Sequence, residues 1–322
     1  MKTDLRPMNL GEILDRTFQI YRARFWVFVG IAAIPALAVM GLDLTARICF
    51  YNRLIHARIL IFYMTLGQLV TTAVLYLFAG FFQYFARPAF IHATIRLIEG
   101  KTISIRSSLA VLRIRTRNFL ALNLAQLMII LPLPALLFIS AAVGLRMIAD
   151  SYRLGRGDIG FAFLLFFFPI AGILAGYVLW MGSCCAFTFP ASVIEGASWS
   201  SAFKRSWMLT KGSRIRLMLT LFIIALISWV LNMLFESSIY FLLHLLLRGW
   251  RNWHNFLLYH VLYSLSSAVV STLIGPIYPI AITLFYYDQR IRKEGYDIER
   301  MMDAAGMNAS VTAPVEAKVV QA

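Results

Sequence analysis

The sequence predicts an all-α polytopic membrane protein, with about six transmembrane helices in three hairpin repeats, each preceded by an amphipathic interfacial helix. Three observations carry this prediction. The 322 residues are 60% hydrophobic and only 14% charged, against about 25% charged in a typical soluble domain, and the mean hydropathy is +0.75. A soluble fold needs more polar cover than so few charges provide. Six apolar runs, Phe25–Leu42, Ile59–Ala86, Phe119–Leu145, Ile159–Ile194, Leu217–Phe235 and Asn255–Tyr287, approach or exceed the roughly 20 helical residues that cross a hydrocarbon core about 30 Å thick. Finally, the basic residues lie between these runs, not in one basic domain. The net charge of +15 therefore points to anionic lipid headgroups and away from nucleic acid.

The first element is the clearest. Asn9 stands as an N-cap with Glu12 as the reciprocal partner of a capping box, and Met8 and Ile13 hold the positions of a hydrophobic staple. Leu10, Ile13, Leu14, Thr17, Phe18, Tyr21 and Phe25 recur at three- and four-residue spacing, while Glu12, Asp15, Arg16, Gln19 and Arg22 fill the other face. Such a helix, with Arg22 and Arg24 where the apolar run begins, suits the water–lipid boundary. No secretory cleavage site follows convincingly.

The fourth and sixth runs are too long for one straight crossing. Pro169 and Pro190 in the fourth, and Pro276 and Pro279 in the sixth, are expected to kink them or end them early, with the surplus turns packed on one side. Orientation follows from the basic residues. The N-terminus, the second–third and fourth–fifth connections and the C-terminus hold 22 Lys or Arg, and the three opposite connections hold 8. Both termini are thus expected in the cytoplasm.

Overlaying the cytoplasmic segments brings out a repeat. Candidate N-caps fall at Asn9, Ser104 and Ser198, each opening a segment that turns basic and becomes a spanning helix. The even-numbered helices end alike at Glu99-Gly100, Glu195-Gly196 and Glu294-Gly295, where Gly reads as a left-handed C-cap. The expected units are about 1–100, 101–196 and 197–295, within one transmembrane domain over 1–302. The exoplasmic connections read as loops from Asp43 to Arg58 and from Arg146 to Asp158. Ile239–Leu247 is too short to cross and is expected to lie in the outer interface beside Trp250 and Trp253. Residues 303–322 read as a disordered cytoplasmic tail.

Candidate lipid-interface residues are Arg16, Arg22 and Arg24 in the first unit, Arg113, Arg115 and Arg117 in the second, and Lys204, Arg205 and Lys211 in the third. Asp43 and Glu236 end the first and fifth spans and read as interface anchors, with a shared cation or proton site as the sharper alternative. Gln68, Gln83, Asn123, Gln126 and Asn232 are uncharged polar residues within spans, of the kind that hydrogen-bond between helices at roughly 1 kcal/mol each. Asn123 and Gln126 lie on nearly one face and mark the place to look for a polar path. The acidic cluster Glu294, Asp297 and Glu299 reads as a solvated helix surface. Cys49, Cys184 and Cys185 form neither a disulfide framework nor a metal-ligand pattern. No phosphate loop, HExxH motif or nucleophile elbow occurs, so neither a cofactor, a metal nor enzymatic activity is expected.

Three stretches, LRPMNLGEILDRTFQIYRARF at 5–25, VIEGASWSSAFKRSWMLTKG at 193–212 and TLFYYDQRIRKEGYDIERM at 283–301, resemble a bacterial family. It is the family named after the membrane domain of glycerophosphoryl diester phosphodiesterases, and the resemblance runs over roughly residues 5–301. It implies a six-helix inner-membrane domain. It does not imply phosphodiesterase activity, because the metal-binding carboxylates and histidines of the catalytic barrel have no match here. The expected function is non-catalytic: organising anionic lipid, or a membrane-protein partner, at the inner leaflet. A transporter or lipid-translocating protein is the alternative.

Overall fold

The computed structural model describes residues 6–56, 85–130, 157–246 and 253–304, together with positions 78, 80–82 and 144. Every regular element among them is a helix. In chain order they are α1 (Leu10–Ala23), α2 (Phe25–His56), α3 (85–98), α4 (Ile105–Ile114), α5 (Thr116–Ile130) and α6 (Gly157–Cys184). There follow α7 (Thr188–Ile194), α8 (Trp199–Thr210), α9 (Arg214–Leu246), α10 (Trp253–Ile274), α11 (Ile277–Glu294) and α12 (Tyr296–Ala304).

Local chemistry sets the starts. Asn9 Oδ1 accepts from the Glu12 amide at 2.8 Å, and the Glu12 carboxylate accepts from the Asn9 amide at 2.9 Å. Ser104 and Ser107 make the same reciprocal pair at 3.2 Å each way. Each pair satisfies two of the amides that a helix N-terminus leaves without intrahelical partners. Ser198 occupies the third N-cap position, but its hydroxyl bonds the Ser201 hydroxyl at 2.9 Å and caps no amide. Between α1 and α2 the chain breaks at Arg24 (φ −141°, ψ 46°), and between α4 and α5 at Arg115 (φ −127°, ψ 34°), nearly the same conformation. Gly100, Gly196 and Gly295 all take left-handed φ, between 64° and 73°. At Gly196 a Cβ would also stand 3.0 Å from the Arg115 guanidinium, which would have to shift, so a side chain there is strained by the left-handed backbone and crowds Arg115.

The prolines act through the first turn of the next helix. Pro190 is the third residue of α7 and Pro279 the third of α11, positions where no intrahelical amide is needed. Each break falls just upstream, at Cys185–Phe187 and at Gly275–Pro276, where the ring would otherwise meet a preceding carbonyl. Pro169 stays inside α6 without interrupting it. The surplus turns, α7 and α11, are packed among the most buried parts of the molecule: Phe187, Phe189, Ile280, Phe285 and Tyr286 are each at most 2% exposed. They meet Ile13 of α1, Ile91 of α3 and Leu209 of α8 in one core.

Away from that core the long helices carry their apolar side chains outward. Among the described residues four spans are long and apolar enough to cross a membrane: Phe25–Ala46, Phe167–Ile194, Arg214–Ile239 and Leu258–Glu294. In the most apolar stretch of each, 28%, 28%, 18% and 56% of the residues are buried. The expected runs Ile59–Ala86 and Phe119–Leu145 lie largely outside the described residues, as do the loop at 146–156 and most of the tail.

Two connections differ from expectation. Asp43 to His56 continues α2, and Ile239 to Leu246 continues α9, giving helices of 32 and 33 residues. At 1.5 Å per residue each is about 50 Å long, well beyond a hydrocarbon core of about 30 Å. The drop in hydropathy marks where lipid ends. It does not end the helix, since neither segment contains Pro or Gly.

The N-terminal segment is fastened by α11. Asp288, fully buried, accepts from the Met8 amide at 2.8 Å and from Arg292 Nε at 3.0 Å, while Arg292 and Arg216 both donate to the Met8 carbonyl. Asp288→Ala would leave these donors without their acceptor, at a cost of about 3 kcal/mol. Hydrogen exchange should show α1 amides losing protection in this variant; exchange equal to wild type across residues 10–23 would contradict the clamp.

Candidate membrane interface

Of the nine basic residues singled out in the sequence, Arg16, Arg22, Arg113, Lys204 and Arg205 lie on α1, α4 and α8, while Arg24, Arg115 and Lys211 directly follow those helices and Arg117 opens α5. Arg22, Arg24, Arg113, Arg115, Arg117, Lys204 and Lys211 are exposed, and Arg16 and Arg205 are half-buried. The same elements leave large apolar side chains open: Phe18, Ile114, Trp199 and Trp207, with Trp26 at the start of α2 (79% exposed). On α1 the buried stripe is Ile13, Thr17, Ile20 and Tyr21, so Phe18 lies beside the core face and not within it. Exposed aromatic rings next to cations are the composition of a water–lipid boundary. Arg214 extends the pattern, its guanidinium 4.3 Å from the Trp207 ring centroid and 5.6 Å from that of Trp180.

Arg205 faces inward. Its Nε and Nη2 donate to Glu195 at 2.8 to 3.1 Å, and Nη2 donates to Glu294 at 2.7 Å. These bonds, first those to Glu195, push its pKa further up, so it stays charged. The Tyr286 hydroxyl also donates to Glu195, and Arg290 Nε donates to Glu294 at 3.2 Å while stacking 4.0 Å over Tyr296. Glu294 is therefore an exposed carboxylate held in an ion-pair network. Lys293 was also missed in the sequence: its ammonium donates to the carbonyls of Met208, Leu209 and Lys211, closing the C-terminal end of α8. The i,i+4 spacing of Arg290 and Glu294 was visible. The partners 89 residues away were not.

Asn123 and Gln126 are both buried. Asn123 Nδ2 donates to the Phe81 carbonyl at 3.0 Å, and Gln126 Nε2 donates to the Cys185 carbonyl at 3.0 Å and to Thr188 Oγ1 at 2.7 Å. The second pair ties α5 to the break before α7, where a carbonyl is released from the helix ladder. Asp43 accepts from Ser264 Oγ at 2.5 Å, joining α2 to α10. The Glu236 side chain and residues Gln68 and Gln83 lie outside the described residues. Cys184 and Cys185 are buried free thiols.

A cavity of about 300 Å³ lies among α2, α3, α9, α10 and α11. Arg87, Asn232, Ser271 and Tyr278 supply its polar lining, and Gly275 places the break between α10 and α11 beside it. The Arg87 guanidinium stacks 4.6 Å over the Tyr278 ring. A cation in a cavity between apolar helices provides a site for a polar or anionic group. It shares no lining residue with Asn123 or Gln126. Among the described residues no three His, Cys, Asp or Glu side chains gather as metal ligands would.

No curated protein and no solved structure matches this chain. Residues 161–312 match the family described as the membrane domain of glycerophosphoryl diester phosphodiesterase. The match takes in α6 through α12, including the stretches at 193–212 and 283–301, and is narrower than the resemblance read over 5–301. The matched part is the membrane domain, not the catalytic one. With this membrane-domain match and, among the described residues, four helices apolar enough to cross a bilayer, the chain is a membrane protein.

Proposed function

We propose that this protein is a non-catalytic, multi-pass protein of the bacterial inner membrane that organises anionic lipid, or a membrane-protein partner, at the cytoplasmic leaflet. The observation that carries this reading is the recurrence of a short helix with exposed cations and exposed apolar side chains, broken just before a long apolar helix. Each such helix lies with its apolar side chains in the headgroup boundary and its cations on phosphate. The threefold repeat over 1–100, 101–196 and 197–295 is supported by the matching conformations of Arg24 and Arg115 and by the left-handed glycines at the three Glu-Gly ends. Two further spans at 59–86 and 119–145 complete six crossings. An even number is supported by the bond between Met8 and Asp288, which brings both ends of the chain to one side. The excess of basic residues on that side assigns it to the cytoplasm.

Replacing Arg113, Arg115 and Arg117 together with Gln should reduce the protein's preference for phosphatidylglycerol over phosphatidylcholine in vesicles. Near-surface cations contribute about 1 kcal/mol each, so a tenfold or larger loss is expected; an unchanged preference contradicts the reading.

The alternative is a transporter or lipid-translocating protein, and the cavity lined by Arg87 favours it. Flux of a phosphoanionic lipid through proteoliposomes, present in wild type and lost in Arg87→Gln, would establish translocation; no flux above protein-free vesicles would remove it.

A further inference from the structure

A second cavity, of about 180 Å³, lies between the C-terminal half of α1 and the end of α3. That is the space of roughly six waters at liquid density. Its polar lining is Arg16 and Arg24 from α1 and Lys101 and Thr102 from the segment after Gly100. Ile20, Leu97 and Ile98 form the apolar wall. Arg16 Nε is buried, with no hydrogen-bond partner among the described residues. A buried guanidinium nitrogen without an acceptor is costly, so the site favours whatever supplies one.

The comparison with Arg205 sharpens this. Arg16 stands seven residues after the N-cap Asn9, and Arg205 seven after the N-cap Ser198. Each therefore occupies the same register on its helix. Arg205 is clasped by Glu195 and by Glu294, the Glu of the Glu-Gly pair that ends α11. The corresponding acid at the end of α3 is Glu99, and it is turned to Lys101, whose ammonium it meets at 2.7 Å. Where Arg205 receives two carboxylates, Glu195 from the second unit and Glu294 from the third, Arg16 shares a cavity with Arg24 and with Lys101, which is itself paired with Glu99. No acceptor within the described residues reaches Arg16 Nε as Glu195 and Glu294 reach Arg205.

We infer that this cavity is a binding site for a phosphate group, in which Arg16 provides planar donors, Arg24 and Lys101 provide charge, and the Thr102 hydroxyl provides a neutral donor. Its position follows from the proposed interfacial placement of α1, on which the inference rests for the choice of source. Arg24 is the last residue before α2, and Trp26 beside it is the most exposed large apolar side chain of that helix. A phosphate in this cavity is thus within reach of the lipid boundary, and a phosphodiester headgroup can enter with its chains along α2.

The test uses the full-length chain in mild detergent, as wild type, Lys101→Gln, and the Arg16→Gln/Lys101→Gln double variant, each checked for a wild-type size-exclusion profile. Native mass spectrometry after exposure to phosphatidylglycerol or phosphatidylcholine reads lipid retention, and thermal unfolding with inorganic phosphate reads the free anion. Wild type is expected to retain phosphatidylglycerol, with retention about tenfold weaker in the double variant. Stabilisation by inorganic phosphate that is lost in the double variant, without retained lipid, supports the phosphate site with a soluble source. Should the double variant fail to fold, Lys101→Gln alters an exposed side chain and carries the same comparison. Wild type and folded variants alike in both readouts would overturn the inference. The Arg113, Arg115 and Arg117 triple variant should keep the retained lipid even if its bulk lipid preference falls, so this site and the broader reading fail separately.

Discussion

Asp288 is a carboxylate with no exposure, and its partners come from both ends of the chain. Burying such a charge is expensive unless it is paired and hydrogen-bonded. Here the compensation comes from the Met8 amide, from Arg292 one turn away, and from Arg216 at 3.8 Å on α9. The consequence is topological. A residue near the start of the chain and one near the end of the last long helix must sit at the same level of the molecule. The bond brings α11 back to the start of α1.

Around that clamp the molecule divides into two environments. At one end α1, α3, α4, α5, α7, α8 and α11 pack one core, with Tyr286, Phe119 and Phe187 fully enclosed. Beyond it α2, α6 and α9 expose Leu37, Phe168, Ile173, Trp229 and Phe241. Water would not tolerate that surface, and lipid places no penalty on it. The two environments meet at the short helices that hold the cations, so the charged groups lie where the apolar surface begins. The ion-pair network of Arg205, Glu195 and Glu294 belongs to the packed end, and the cavity lined by Arg87 lies among the spanning helices.

Much of this was legible in the residues because the signals are local. The N-caps at Asn9 and Ser104, the glycines after Glu99, Glu195 and Glu294, and the prolines at 190, 276 and 279 each act within one turn, and each stands at an end or a break that the residues mark. The loops expected after Asp43 and around Glu236 failed for a definite reason: hydropathy reports the solvent around a helix, whereas continuity depends on breakers, and none is present there. The pairings of Met8 with Asp288 and of Arg205 with Glu294 span 280 and 89 residues and follow only from the fold. Among the candidate interface residues, no pattern in the sequence separated the seven exposed cations from Arg16 and Arg205, which face inward.

The central claim is that apolar hairpins cross the membrane an even number of times and return both ends of the chain to the cytoplasm. The most direct measurement places a single reactive cysteine or short tag at each end of the full-length protein and probes it in intact bacterial spheroplasts, then again after permeabilisation. Both ends are predicted to stay protected until the membrane is opened; labelling of either end in intact spheroplasts would contradict the account.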